Sequence, residues 1–168
     1  MKGFYRHHKF WPAAIGVVAL AALVFAGVAS AADPGLQQVG DTALENFFMR
    51  EKIAYNDQGL RLQAANVITG KADAWITYLK GQGKDTSALE SALSAYKSAI
   101  QSAQSNHDSA GGVISAAAGF DSSGKVSDRK AALQTVINAG KPLRQAHLTL
   151  VQGTIDFRTA VQKWRAAN

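Results

Sequence analysis

The chain has 168 residues and no cysteine, which excludes disulfides and thiolate metal sites and leaves packing as the source of stability. Its formal charge is +6, but three basic residues lie in the first ten positions, and the other lysines and arginines alternate with acids, as in Arg50-Glu51-Lys52. Such mixed charge is typical of solvated helix faces and predicts no nucleic-acid partner.

The first 31 residues have the pattern of an export signal. A basic start precedes an uncharged apolar run over residues 11–28, and Ala29-Ser30-Ala31 supplies the small residues that a signal peptidase requires. One interpretation is a signal peptide cleaved after Ala31. The other is an uncleaved membrane anchor, because about 18 apolar residues reach across a bilayer. Both place the rest of the chain outside the cytoplasm, in the periplasm or at the cell surface, with residues 32–40 as a linker.

A first helix is predicted over residues 41–80. Its packed face is less regular than those that follow, because Glu51, Gln58 and Thr69 interrupt the apolar residues. Gly59 is the expected position of a kink. The apolar positions of this face are Leu44, Phe48, Tyr55, Leu62, Ala65, Ala72, Ile76 and Leu79.

A second helix is predicted over residues 87–118. Ser87 followed by Glu90 predicts a capping box at its start, in which each side chain bonds a free backbone N–H of the first turn. Its packed positions recur at alternating steps of four and three, the heptad spacing of helices packed along their length. These positions are Leu89, Leu93, Tyr96, Ile100, Ala103, His107, Ala110, Ile114 and Ala117.

A third helix is predicted over residues 127–166, with Ser127 or Asp128 as its N-cap. Pro142 removes one backbone hydrogen bond and predicts a bend near Asn138 without ending the helix, because the heptad spacing continues on both sides. The packed positions are Leu133, Val136, Gly140, Leu143, His147, Leu150, Thr154, Phe157, Val161 and Trp164.

Short connections between these helices make neighbours antiparallel. At 1.5 Å per residue the helices are about 50–60 Å long. We therefore predict an all-α fold, an elongated, coiled-coil-like antiparallel three-helix bundle over residues 41–166, preceded by an apolar export helix at the N-terminus.

One loop resembles two ligand-binding motifs. Gly119–Lys125 matches the first seven positions of a phosphate-binding P-loop, but Val126 replaces the hydroxyl residue that binds magnesium, and a helix precedes the loop instead of a strand. As a calcium loop it offers one carboxylate, Asp121, with Lys130 where a glutamate is required. We expect an ordinary turn between helices.

His107 and His147 fall on packed faces, where helical bundles place metal or haem ligands. Folding the second and third helices about residue 122 puts His107 level with Ile137, which predicts that the two imidazoles lie about 15 Å apart along the bundle axis. They would then be unable to share an ion. We expect each to be a packing residue with its polar edge hydrogen-bonded or in solvent, and we assign no catalytic, cofactor-binding or metal-binding residue.

Several segments resemble a group of uncharacterised exported bacterial helical-bundle proteins. The likeness spans about residues 45–165 and is carried by Gly83–Glu90, His107-Asp108, Gly119–Asp121, Gly124–Val126, Ala132–Thr135 and Leu143–His147. It implies an extracytoplasmic helical protein without a known activity. Leu148–Gln152 also has the L-T-x-x-Q form of periplasmic chaperones and adaptors of the Spy and CpxP type, which usually carry this motif twice.

These patterns favour a non-enzymatic envelope protein, a helical spacer or interaction module that uses one bundle face for a protein partner or for self-association. A periplasmic chaperone or stress-sensing adaptor is the alternative, on the strength of Leu148–Gln152. A bundle that binds a small molecule or a metal is the third possibility. No cofactor is expected, and membrane contact is expected only through residues 11–28.

Overall fold

The structure is a computed structural model that describes residues 39–168. The described chain is all-helical and compatible with a three-helix bundle, with α1 at Asp41–Gly81, α2 at Ser87–Ala116 and α3 at Arg129–Ala167. The export segment, its membrane-anchor interpretation and most of the expected linker lie outside the described residues. No helix among the residues described is long and apolar enough to cross a membrane.

Side-chain contacts along the helices show their relative directions. Lys97 near the middle of α2 pairs with Asp73 of α1, whereas Lys80 at the end of α1 pairs with Glu90 at the start of α2. Each of the three helices packs against both others, and α2 and α3 pack most extensively with each other. Contacts between α2 and α3 show that these two helices also run in opposite directions. The order is therefore up, down and up, as the short connections predict.

The start of α2 differs in detail from the predicted capping box. Thr86, not Ser87, is the N-cap residue, and the carboxylate of Asp85 accepts the hydrogen bond from the Ser87 N–H at 3.0 Å. The Glu90 carboxylate accepts instead from the Thr86 hydroxyl and from Lys80. At the start of α3 the prediction is confirmed, because the Asp128 side chain accepts from the backbone N–H of Ala131.

Gly59 and Pro142, the two positions at which a kink or a bend was predicted, both lie within continuous helices. α1 runs without interruption through Gly59, and α3 runs through Pro142. Continuity of the third helix across its proline is thus confirmed.

The connection between α2 and α3 is longer than predicted and changes their register. α2 ends at Ala116 and α3 begins at Arg129, so the first turns of α3 extend beyond the end of α2. The Thr135 hydroxyl, two turns into α3, donates to the carbonyl of Ala118. In the space that α2 leaves, the loop folds back over the core, held by a β-type bridge between Phe120 and Val126.

The core has two apolar clusters. The larger lies along the middle and far end of the bundle, around Leu62, Leu93 and Leu150. The smaller closes the end where α1 and α3 begin, and there Phe120 of the loop stacks on Phe48 of α1 with ring centroids 4.2 Å apart. The loop thus covers apolar surface that α2 is too short to reach.

Candidate functional site

A layer of polar side chains lies between the two apolar clusters. The interruptions predicted on the packed face of α1 are all buried: Glu51 is 9% exposed, Gln58 5% and Thr69 8%. His107 of α2 is 6% exposed. The polar layer, which we define as Glu51, Tyr55, Gln58 and His107, contains three buried polar groups and the half-buried Tyr55. Buried polar groups require partners inside the protein.

Gln58 connects all three helices at this level. Its amide nitrogen donates to the backbone carbonyl of Leu143 in α3 at 3.0 Å, and its amide oxygen lies 3.2 Å from Nδ1 of His107 in α2. Because a carbonyl can only accept, the Leu143 bond sets the orientation of the amide. The amide oxygen must then accept from an Nδ1–H, which fixes the tautomer of neutral His107. The expectation of a hydrogen-bonded packing residue is confirmed for this histidine.

Tyr55 completes the surroundings of His107. Its ring stacks on the imidazole with centroids 4.1 Å apart and the planes nearly parallel. Gly111 makes the room for this ring, because a Cβ there would lie 2.7 Å from the Tyr55 hydroxyl, whereas a Cβ on Gly59 would only contact the imidazole at 3.6 Å. Burial lowers the pKa of His107, partly opposed by the negative charge of Asp108, so the ring is neutral at neutral pH.

Glu51 has the most perturbed environment in the layer. Burial raises the pKa of this carboxyl to about 8, and Oε2 is a buried oxygen without a hydrogen-bond partner in the described part of the chain. A charged carboxylate would lose its hydration here with no cation to replace it, so the acid is protonated at neutral pH. The layer as a whole therefore carries no charge at that pH.

The observed register overturns the predicted separation of the two histidines. Tyr96 stacks on Phe157, and a Cβ on Gly153 would touch Ala99. Eight residues beyond Ala99, His107 is therefore level with about residue 145, instead of Ile137, and only about 3 Å along the axis from His147. The prediction failed because it assumed a symmetric turn, whereas α3 begins beyond the end of α2.

The two histidines nevertheless have different neighbours. His107 faces Gln58 and Tyr55, whereas His147 is half-buried and its pKa is lowered first by burial and then by the positive charge of Arg61. A cation beside a histidine disfavours a second cation there. Across residues 39–168, no three His, Cys, Asp or Glu side chains are grouped so that they could hold a metal ion.

In the Gly119–Lys125 loop, which resembles a P-loop, backbone N–H groups form hydrogen bonds within the loop itself. The carboxylate of Asp121 accepts from the N–H groups of Ser123 and Lys125 at 2.8 and 2.9 Å. The Lys125 ammonium, which would contact phosphate in a P-loop, pairs with Glu45 of α1 at 2.8 Å. An acid thus occupies the place where a phosphate would bind, and the loop instead attaches to the start of α1.

α1 also has an exposed apolar face that the sequence analysis missed. Eight positions on the side opposite the core recur at steps of 4, 3, 4, 3, 4, 3 and 4, the heptad spacing of a helix packed along its length. Leu60 is 64% exposed, Val67 57% and Ile53 54%. We call these positions the outer stripe: its apolar members are Ile53, Leu60, Ala64, Val67, Ala74 and Tyr78, and its charged members are Asp57 and Lys71.

A second surface is a groove between α2 and α3. It encloses about 450 Å³ and is lined by alanines of α2 and by Leu148, Thr149 and Gln152 of α3. These three residues belong to the L-T-x-x-Q segment, and Leu148 is 51% exposed. The motif residues therefore line an open, largely apolar surface, while Leu150 between them is buried in the core.

Comparison with known proteins finds no family model, no curated protein and no solved structure that matches this chain.

Proposed function

We propose that this chain is a non-enzymatic, exported envelope protein, an elongated antiparallel three-helix bundle that acts as a structural or protein-interaction module. The outer stripe of α1 is its binding surface. The export signal in residues 1–31, cleaved or retained as an anchor, delivers the bundle to the far side of the cytoplasmic membrane.

The observation that carries the proposal is the exposure of the outer stripe at heptad spacing. Apolar side chains scattered on a surface are normal, but a continuous row is a feature of interfaces. The inner face of α1 already supplies its share of the core through Leu44, Leu62 and Ile76. A second row at the same spacing on the opposite side is what an additional helix requires for side-by-side packing.

The polar layer supports a structural role for the bundle interior. Gln58 and His107 have their hydrogen bonds taken up by each other and by Leu143, and Tyr55 covers the imidazole. Groups committed in this way hold the three helices together at one level.

Site-specific photo-crosslinking in intact cells tests the proposal. A photoreactive residue at Leu60 or Val67 should give a defined protein product, because both side chains lie in the proposed interface. The same residue at Gln101, exposed on α2, is the matched control and should give only background. Equal products, or none, at the stripe and control positions would refute the interaction role.

The alternative function is a chaperone or stress-sensing adaptor, which the α2–α3 groove favours. In this hypothesis the apolar lining around Leu148 binds exposed apolar segments of unfolded clients. An equimolar amount of the protein should then suppress aggregation of a chemically unfolded client, and Leu148→Asp should abolish the effect while Leu60→Asp leaves it unchanged. Absence of protection by the wild-type protein would remove this alternative.

A further inference from the structure

We propose that the partner of the outer stripe is a second copy of this chain, packed antiparallel along α1. This inference rests on the proposed function, because it names the occupant of the same surface. It follows from the symmetry of the stripe, which matches what an interface between identical chains requires.

A two-fold interface joins a surface to itself, so that surface must be self-complementary when one copy is reversed. The steps of the outer stripe, 4, 3, 4, 3, 4, 3 and 4, read the same in both directions. Reversal places Tyr78 of the second copy opposite Ile53 and places Val67 opposite Ala64. An alanine then meets a larger side chain in two of the four distinct layers, which lets the two helices approach closely there.

The charged members of the stripe distinguish the antiparallel from the parallel arrangement. In a parallel pair, Asp57 would face Asp57 of the second copy and Lys71 would face Lys71, which sets like charges against each other. In the antiparallel pair, Lys71 of the second copy lies level with Leu60, about 4.5 Å along the axis from Asp57. Opposite charges are then adjacent, and symmetry repeats the contact on the other side.

Neither charge has a competing partner in the structure as described. The ion pairs formed within residues 39–168 engage other side chains, among them Asp73 with Lys97 and Glu45 with Lys125. Asp57 is half-buried and Lys71 is exposed on α1. Both can therefore meet the second copy without breaking a contact inside the bundle.

The expected dimer is weak. The stripe from Ile53 to Tyr78 is about 38 Å long, and at a helix width of about 10 Å it covers roughly 400 Å² per copy, half of what a standard interface buries on each partner. Self-association should accordingly depend on protein concentration.

The first experiment is sedimentation of the full chain over a range of concentrations. We expect a monomer–dimer equilibrium that Leu60→Lys shifts to monomer, because the new ammonium would lie level with Lys71 of the second copy and repel it. Leu148→Lys is the matched control, since this leucine is similarly exposed but lies on α3, and it should leave the equilibrium unchanged. A wild-type chain that stays monomeric throughout, or an equal effect of both variants, would overturn the inference.

Cross-linking of single-cysteine variants tests the orientation, and the absence of natural cysteines makes every product interpretable. With a short bismaleimide, a mixture of Ile53→Cys and Tyr78→Cys should form cross-linked dimers. Ile53→Cys alone should not, because its two copies would lie about 38 Å apart. Cross-linking of Ile53→Cys alone above the level of Gln101→Cys would indicate a parallel pair and overturn the inference.

Charge exchange tests the polar contacts independently. Lys71→Asp should weaken the dimer by roughly fivefold to tenfold, since it replaces two attractive contacts by repulsive ones. Adding Asp57→Lys should restore the affinity, and failure to restore it would contradict the antiparallel register. A monomeric chain whose stripe photo-crosslinks to a different protein would overturn the second-copy inference and leave the interaction role intact, whereas an inert stripe would refute both.

Discussion

Replacement of Glu51 by glutamine should remove a pH dependence of stability that the buried acid imposes on the whole bundle. Burial raises the pKa of this carboxyl from 4.5 to about 8 in the folded protein, while the unfolded chain ionises near the ordinary value. Between those two pH values the folded state binds the proton and the unfolded state does not. Stability must therefore fall as pH rises through this window.

The magnitude follows from the two pKa values. Each pH unit inside the window changes the free energy of unfolding by about 1.4 kcal/mol. Ionisation of Glu51 alone should therefore lower the free energy of unfolding of the wild-type protein by about 2 kcal/mol between pH 6 and pH 8. For a domain of this size that corresponds to a decrease of about 5–10 °C in melting temperature. Glu51→Gln keeps the shape of the side chain and cannot ionise, so its stability should lack this decrease.

The assay is urea unfolding at pH 6 and at pH 8, followed by far-UV circular dichroism, for the wild-type protein and the variant. His107 and His147 have lowered pKa values, so their contribution has the opposite sign, with stability lost as pH falls below about 6.5. Both proteins contain them, and the difference between the two proteins isolates Glu51.

Glu45→Gln is the control for this experiment. Its hydrogen bond with Lys125 lowers the pKa of Glu45, so the stability that this carboxylate contributes is lost only as pH falls below the ordinary pKa of a glutamate. The difference between Glu45→Gln and wild type should be the same at pH 6 and pH 8. Equal pH slopes for wild type and Glu51→Gln would refute the assignment of a buried, protonated acid.

Two further predictions use pairs of glycines that share a local setting and differ in their surroundings. Gly111→Ala should destabilise the fold by about 1–3 kcal/mol, because its Cβ would meet Tyr55 at 2.7 Å. Gly112→Ala should instead stabilise the fold by up to about 1 kcal/mol, since open space surrounds this exposed helical position. Thermal unfolding of both variants checks the two signs, and the same sign for both would contradict the packing of Tyr55. Gly119→Ala should lower the free energy of unfolding by at least about 3 kcal/mol, because its Cβ would lie 2.0 Å from a backbone nitrogen of α3. Gly124→Ala, at a similar positive φ with nothing nearby, should lower it by only about 1–2 kcal/mol through backbone strain. Similar decreases for both variants in urea unfolding would show that the loop does not pack on α3 as described.

Helix positions and packed faces were accessible from residue spacing alone. The packed positions of α2 from Leu89 to Ala110 are all buried, and the helix boundaries agree with the predictions to within two residues. This succeeds because a heptad pattern encodes which side of a helix faces its neighbours, whatever those neighbours are. The Asp128 cap and the continuity of α3 through Pro142 follow from the same kind of local chemistry.

The exposed outer stripe was also present in the sequence but was hidden by the inner face. Two apolar rows on opposite sides of α1 make the helix look irregular, since each row occupies positions that are polar in a one-sided helix. Separating the positions from Ile53 to Tyr78 by their steps of four and three would have revealed it.

The polar layer and the register depended on tertiary structure. Glu51, Gln58 and Thr69 were recognised as interruptions, but spacing cannot tell whether an interruption is tolerated at the surface or matched by a partner 49 residues away, as Gln58 is by His107. The level of His107 relative to α3 depends on how far that helix extends past the end of α2. Local preferences set the helices and their faces, whereas relative level and partner choice arise only when three packed surfaces compete for the same space.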